Sequence, residues 1–184
     1  MTSIRFNFND AKAIEALVWL ANEQPGISFY YVVKILFFAD KMHLNQYGRP
    51  ILGDRYIAME HGPVPSVVYD MLGRDKFLEP ELIKGIEDGI SFGDGRHPSI
   101  FPREGRQFNS RLFSRTDIEC LTKSLDTYGH MPISRLRAIT HQEPAYQAAS
   151  LNGEMDYALM IDADEENREK IADAISETAH AVVI

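Results

Sequence analysis

Asp40 and His43 are the residues whose types and spacing most invite chemistry. Three residues apart, they share a face of any helix that carries them. A metal pair or an acid–base dyad could be built on them, with His61, His130 or His141 as the third member. Catalytic zinc takes three protein ligands and keeps a fourth position open, so the ligand count can be met. The helical HEXXH spacing is absent, however, and these histidines are scattered from His43 to His141. The competing role for Asp40 and His43 is architectural: hydrogen bonds to buried backbone, or to each other, where a helix meets its following loop. That role is the expected one, with neither a metal nor a cofactor. A metal-dependent hydrolase using Asp40, His43 and His141 is the enzymatic rival.

Two turn signals come next, Gly48-Arg49-Pro50 and Gly53-Asp54-Arg55. No GXXXXGK or GXGXXG pattern accompanies them, which argues against a phosphate loop. Asp54 and Arg55 can pair with charges on flanking helices. The turn can also present its arginines to a partner carboxylate, which a guanidinium grips with two parallel bonds. The stretch from Tyr56 to Tyr69 reads YIAMEHGPVPSVVY. Proline disfavours the α conformation in the residue before it, so His61-Gly62-Pro63 swings the chain from extended to helical within three residues. A stiff corner carrying Tyr56, Met59, His61, Pro63, Pro65 and Tyr69 suits recognition, because little entropy is lost on binding. It equally suits closure of the fold.

Arg96, Arg103, Arg106, Arg111 and Arg115 alternate with Phe101, Phe108 and Phe113. Such a run can stack nucleic-acid bases or anchor a protein interface; the plainer alternative is a solvated hairpin with its phenylalanines turned inward. Cys120 falls in an amphipathic helical pattern and is expected to be a buried, inert thiol. Ser66 has no GXSXG elbow. No catalytic residue is expected, and the chain is not expected to be an enzyme.

The elements that position these residues can be read from periodicity. Ala11, Ile14, Leu17, Val18 and Ala21 recur at helical spacing after a capping Asn9 or Asp10, and Gln24-Pro25-Gly26 ends that helix. Ser28 caps a second, FYYVVKILFFADKMHLNQY, which runs to Gly48 and is apolar nearly all round; it is expected to be central. RYIAME alternates like a short strand, and Pro63 or Pro65 then starts the helix SVVYDML. From Gly73 to Gly105 glycine, proline and charge are plentiful; GISFGDG predicts a strand and turn and RQFNSRLF, just after, another, in one small antiparallel sheet with RYIAME. Ser114 with Asp117, and Thr116 with Glu119, have capping-box spacing before a helix to Gly129. A helix over PISRLRAITH, a brief turn or helix at Glu143-Pro144, and an acidic helix over residues 162–182 complete the reading. The tail helix is expected to be capped by Asp162 or Asp164, with Ile171, Ile175, Ala179 and Val182 on one face. The fold class is mostly α (α+β): one compact helical domain over residues 1–184, with a small antiparallel β element.

Composition sets the outer limits. The chain has 184 residues, 45% hydrophobic and 25% charged, which suits a globular core and excludes a disordered or fibrous chain. One cysteine excludes an internal disulfide. No apolar stretch reaches the roughly 20 residues that cross a bilayer, and no secretory signal is visible, so a cytoplasmic location is expected. Net charge is −8. Residues 152–184 carry 2 basic and 9 acidic side chains, so most of the excess sits in the tail. Such a chain repels phosphate on average, which makes nucleic acid an unfavoured ligand and a membrane an unneeded one.

The stretch KILFFADKMHLNQYGRPILGDRYIAMEHGPVPSVVYDML closely resembles the signature of the SocA/Panacea family of antitoxin domains. The resemblance rests on Phe38-Ala39-Asp40 with His43, Tyr47 to Pro50, Gly53-Asp54 with Tyr56, Ala58-Met59, and Gly62 to Pro65 with Tyr69. YGHMPISRLRAITHQEPAY, containing His141, fits its second half; the resemblance covers roughly residues 9–150. It implies a mostly helical domain that neutralises a toxin encoded beside it by direct binding, as an antitoxin or chaperone-like module, in places by handing the toxin to a ClpXP-type protease. No catalytic residues are implied. Some members carry a preceding DNA-binding domain; a first helix starting by about residue 10 leaves no room for one, so transcriptional self-repression is not expected. The expected partner surface is Arg49, Asp54, Arg55, Tyr56, Met59, His61, Pro63, Pro65 and Tyr69, flanked by Arg96 and Arg103. Asp40, His43, Gly48, Gly62 and His141 are expected to hold it in place. A third reading is a phage or mobile-element protein that binds a host factor.

Overall fold

Why α2 becomes the axis of the molecule follows from its composition. In the computed structural model, which describes residues 4–163 and 165–181, α1 (Asp10–Glu23) is followed by a two-residue strand β1 (Ile27–Ser28) and then α2 (Phe29–Tyr47). One side of α2, including Val32, Ile35, Leu36 and Ala39, packs with α1 in the first hydrophobic cluster. Its other side, Phe37, Phe38 and Leu44, packs with Tyr56, Leu136, Met155, Tyr157 and Met160 in a second. Each such side chain contributes about 1.5–3 kcal/mol when fully buried, so a helix without a polar face is the cheapest element to place between two cores. Gly48 ends it in the left-handed conformation (φ 74°). In α1, Asn9 is the cap, accepting from the Lys12 N–H; Ala11, expected on the apolar face, is exposed.

After α2 the chain makes a hairpin. β2 (Tyr56–Met59) pairs antiparallel with β3 (Gly62–Pro65), Tyr56 opposite Pro65 and Met59 opposite Gly62. The sequence reading started a helix at Pro63 or Pro65; instead both prolines lie in an edge strand, where their missing N–H costs least. The helix α3 (Ser66–Gly73) begins only after them. The other edge of β2 is covered by residues 152–155, through hydrogen bonds between Ala58 and Asn152 and Gly153 and from Met155 to Tyr56.

A further helix, α4 (Pro80–Gly89), occupies a region read as turns. Gly85 and Gly89, poor helix formers in isolation, lie within it. They are the points where α4 presses on α1: a Cβ on Gly85 would lie 2.7 Å from Ile14 Cδ1, and one on Gly89 would lie 3.1 Å from Val18 Cγ2. β4 (Ile90–Gly93) and β5 (Ser99–Pro102) follow, and the first sheet has the order β1-β5-β4, all antiparallel. Two expectations are corrected here. RYIAME is not part of that sheet, and residues 106–113 are not a strand. They are tied to α1, where Glu15 takes the Arg106 guanidinium and the Asn109 N–H, and contain a short 3-10 turn at Ser110–Leu112.

α5 (Arg115–Tyr128) opens with the capping box of Ser114 and Asp117, the first of the two spacings recognised. It lies along α2. α6 (Ile133–His141), α7 (Pro144–Ala148), a 3-10 turn at Tyr157–Met160 and α8 (Glu165–Ala181) close the second cluster. Asp164 and Val182 lie outside the described residues; Ile175 is buried and Ile171 exposed. A mostly α fold with a small antiparallel β component is what the sequence predicts. Among the described residues no helix is long and apolar enough to cross a membrane.

Candidate partner-binding site

The polar residues of α2 fix the segment that follows it. Asp40, fully buried, accepts through Oδ1 from the backbone N–H groups of Ile51 and Leu52 (2.9 and 3.1 Å) and through Oδ2 from the Tyr56 hydroxyl (3.0 Å). Burial pushes this carboxyl up to about 6, and those three hydrogen bonds pull against the rise. His43 donates from Nδ1 to the Arg49 carbonyl (2.7 Å), while Nε2 faces Thr116 Oγ1 (3.0 Å) and Asp117 Oδ1 (3.1 Å). Asp117 is the hub of this corner. It also accepts from Lys12 Nζ (2.6 Å), Ser114 N (2.9 Å) and Arg49 Nη2 (3.0 Å), joining α1, α2, the 48–52 turn and α5. Burial opposes its charge, but the hydrogen bonds from His43, Lys12 and Ser114 prevail and hold its carboxyl far below the usual carboxylate range.

Asp40 and His43 thus serve separate partners. His141 sits on another helix, stacked on Tyr146 with ring centroids 4.6 Å apart. Among the described residues no group of three or more His, Cys, Asp or Glu could hold a metal. The ligand set of the hydrolase rival does not assemble, and the architectural role of Asp40 and His43 is the one the contacts describe.

The hairpin corner is braced from below. Asp54, buried, supplies from thirteen residues away the N-terminal cap that α3 lacks locally, accepting from Val67 N (3.0 Å) and Val68 N (2.9 Å). Burial lifts its carboxyl to about 6 despite these bonds. Tyr157 donates to the Asp54 carbonyl (2.5 Å) and Tyr146 to that of Met59 (2.9 Å). Asp54, Tyr56, Pro63 and Pro65, expected on the partner surface, are all buried; their side chains shape the corner and do not face outward. Arg49 is committed to Asp117. Arg55, Glu60, His61 and Tyr69 are exposed, with Arg55 only 4.0 Å from Glu154 as its ion-pair partner. Arg96 lies in the β4–β5 turn and Arg103 just after β5, both exposed and both apart from the hairpin. Phe108 and Phe113 pack against the core, whereas Phe101 is exposed.

Beside the corner lies a cleft of about 360 Å³. The first turns of α2 supply Phe29, Tyr30, Val33 and Lys34; the hairpin and α3 supply Met59, Glu60, His61, Val64 and Tyr69, and Asn152 closes one side. Of the surface expected from sequence it contains Met59, His61 and Tyr69. Lys34 was missed as a site residue. It is the one charge in the apolar run from Phe29 to Ala39, a signal that could have found it. Its side chain is 1% exposed, and its Nζ donates to the Pro63 carbonyl (2.7 Å) and lies 5.3 Å from the centre of the Tyr30 ring. Burial lowers it to about 7. Gly62, at φ 99°, is crowded by the same groups: a Cβ there would lie 2.6 Å from Thr140 Oγ1 and 3.1 Å from Lys34 Nζ.

The chain belongs to the family of SocA-like antitoxins with a Panacea domain, whose family model matches residues 32–147. That span runs from the first turn of α2 into α7 and takes in the hairpin, Asp117 and most of the cleft, while Phe29, Tyr30 and Asn152 of the cleft and Lys12 of the hub lie outside it. Membership bears out the resemblance read from the sequence. It carries an antitoxin-type role and, in general, a protein toxin as partner. No curated protein and no solved structure matches the chain.

Proposed function

We propose that this protein neutralises one particular toxin, encoded beside it, by binding that toxin directly and covering the surface it needs, without converting any substrate. The observation that carries the reading is the family match over the segment that builds the hairpin corner. Physical support comes from how that corner is held. Asp40 holds the Tyr56 hydroxyl, and Asp54, Tyr146 and Tyr157 hold the corner's backbone from beneath, so Met59, His61, Tyr69 and Arg55 can meet a partner with little further ordering cost. In this reading residues 1–184 act as one domain in the cytoplasm, and the bound toxin can be passed to a ClpXP-type protease.

Co-expression with the neighbouring reading frame is the direct test. That frame alone should arrest growth, and growth should return when this chain is present. A harmless neighbour, or arrest that persists beside a soluble, expressed chain, refutes the reading. Toxin half-life with and without ClpXP separates occlusion from degradation.

A further inference from the structure

We infer that the cleft between the first turns of α2 and the β2–β3 hairpin receives an aspartate or glutamate side chain of the partner, flanked by apolar residues, and that Lys34 pairs with its carboxylate. The inference deepens the antitoxin reading and rests on it.

Three independent observations define the ligand. First, Lys34 is an incomplete site. An ammonium group carries three N–H donors, and among the described residues the one acceptor it has is the Pro63 carbonyl. No carboxylate pairs with it among the described residues, whereas buried charges in proteins are ordinarily paired. Second, the Tyr30 hydroxyl, whose ring lies under the Lys34 ammonium, is buried without a hydrogen-bond partner among the described residues, as is His141 Nε2. Lys34 and Tyr30 therefore bring two donors to the cleft, whose apolar lining is Phe29, Val33, Met59, Val64 and Tyr69. Third, the charge around it is reversed relative to the molecule. The chain carries a net −8, but the titratable groups lining the cleft are Lys34 and Tyr30 from α2 and His61 and Glu60 from the hairpin, with Arg137 and His141 from α6 close enough to act on them electrostatically. Glu60 is the single acid in that set.

The occupant follows from these features. An anion is favoured by the local field, and a carboxylate at the tip of a side chain is enough to take up Lys34 Nζ and Tyr30 Oη together. The apolar walls take the neighbouring residues. A chain-terminal carboxylate is ordinarily captured by converging backbone N–H groups, whereas the two donors here are side-chain groups. Tyr69, 45% exposed, stands at the rim as the kind of aromatic anchor that dominates protein interfaces.

Proton linkage gives the site a signature. Burial lowers the free Lys34 to about 7, and a paired carboxylate raises it again. Binding therefore takes up a proton above pH 7, and affinity falls about tenfold for each pH unit between the free and the bound pKa. Burial holds the His141 imidazole below the ordinary histidine value, so it cannot produce a decline that continues to pH 9.

The test is a selection of randomised nonapeptides, displayed internally so that no free carboxyl terminus is offered, on the immobilised full chain at pH 6.5. Peptides with Asp or Glu between apolar residues should be enriched at least tenfold over the same selection on Lys34→Met. A synthetic winner should lose about tenfold in affinity from pH 7 to 8 and again toward pH 9, and its Glu→Gln counterpart should bind at least tenfold more weakly. Absence of acidic enrichment, equal enrichment on Lys34→Met, or an affinity flat from pH 7 to 9 overturns the inference. The pH series uses only the unaltered chain, so it stands even where the variant folds poorly. Enrichment only in a parallel library with free carboxyl termini overturns it in favour of terminal-carboxylate capture. If the unaltered chain rescues growth and Lys34→Met rescues equally, the cleft is excluded and the antitoxin reading survives; failure of rescue by the unaltered chain sinks that reading itself.

Discussion

Asp117 offers the sharpest test of how the corner is held. Its side chain is fully buried, and the groups around it are Lys12 (14% exposed), His43 (fully buried) and Arg49 (45% exposed). Asp117→Asn keeps the shape and one acceptor but removes the counter-charge. Arg49 can turn to solvent, and exposed pairs contribute little; Lys12 and His43 cannot. Removing one partner of a buried pair costs about 3–5 kcal/mol, and at about 2–4 °C per kcal/mol for a chain of this size the variant should melt roughly 6–20 °C lower. The assay is denaturant unfolding at matched pH, with Lys12→Met and the double variant completing a cycle whose coupling should exceed about 1 kcal/mol. Acid supplies a second arm. The folded Asp117 carboxyl lies below its unfolded value, so its contribution is present above about pH 4 and is lost as the pH falls further. Asp40 and Asp54, raised to about 6, act in the opposite sense but equally in both proteins, and cancel. A loss under about 1 kcal/mol, or a gap between the two proteins that stays constant from pH 7 to 3, would refute the hub.

Three further outcomes are expected. Lys34→Met should be more stable than the unaltered chain at pH 6. Lowering a lysine from 10.5 to about 7 by burial costs on the order of 5 kcal/mol at about 1.4 kcal/mol per pH unit, and the orphaned Pro63 carbonyl returns about 1–3, leaving a gain of roughly 2–4 kcal/mol. Because the unfolded lysine binds a proton that the folded one releases between pH 7 and 10, the unaltered chain gains stability over that range and the difference should narrow, as thermal unfolding at pH 6, 8 and 10 will register. Asp54→Ala removes the cap of α3 and should cost about 1–2 kcal/mol, seen as a lower denaturant midpoint with an unchanged slope. Gly62→Ala, forced to φ 99° and onto Thr140 and Lys34, should cost about 1–3 kcal/mol in the same measurement.

Legibility in the sequence followed the range of the forces involved. α2 could be read from Ser28 to Gly48 because its apolar run, start and stop are all local. The same holds for the box of Ser114 and Asp117. β3 could not, because two prolines before a helix look like helix-starting prolines unless the distant cap from Asp54 is known. α4 was hidden by Gly85 and Gly89, which break a helix in isolation and become useful only when Ile14 and Val18 press against them. At the candidate site, the corner and Met59, His61 and Tyr69 were legible through its prolines and glycine. Lys34 showed only as the one charge in an apolar run, and its role, like those of Tyr30 and Asp117, was not legible, since a buried charge takes its meaning from partners that arrive from elsewhere: Pro63 for one, and α1, α2 and the 48–52 turn for the other.

The strip of chain at 152–155 has a practical consequence. It lies past residue 147, where the family match stops, yet it hydrogen-bonds along the flank of β2, and Tyr157 beyond it grips Asp54. Ending the protein at residue 147, with α1 retained, would strip that flank bare, leaving an open ladder of amide and carbonyl groups for any neighbouring molecule to extend. Recombinant versions cut at that limit should therefore self-associate, whereas those retaining the strip should stay monodisperse.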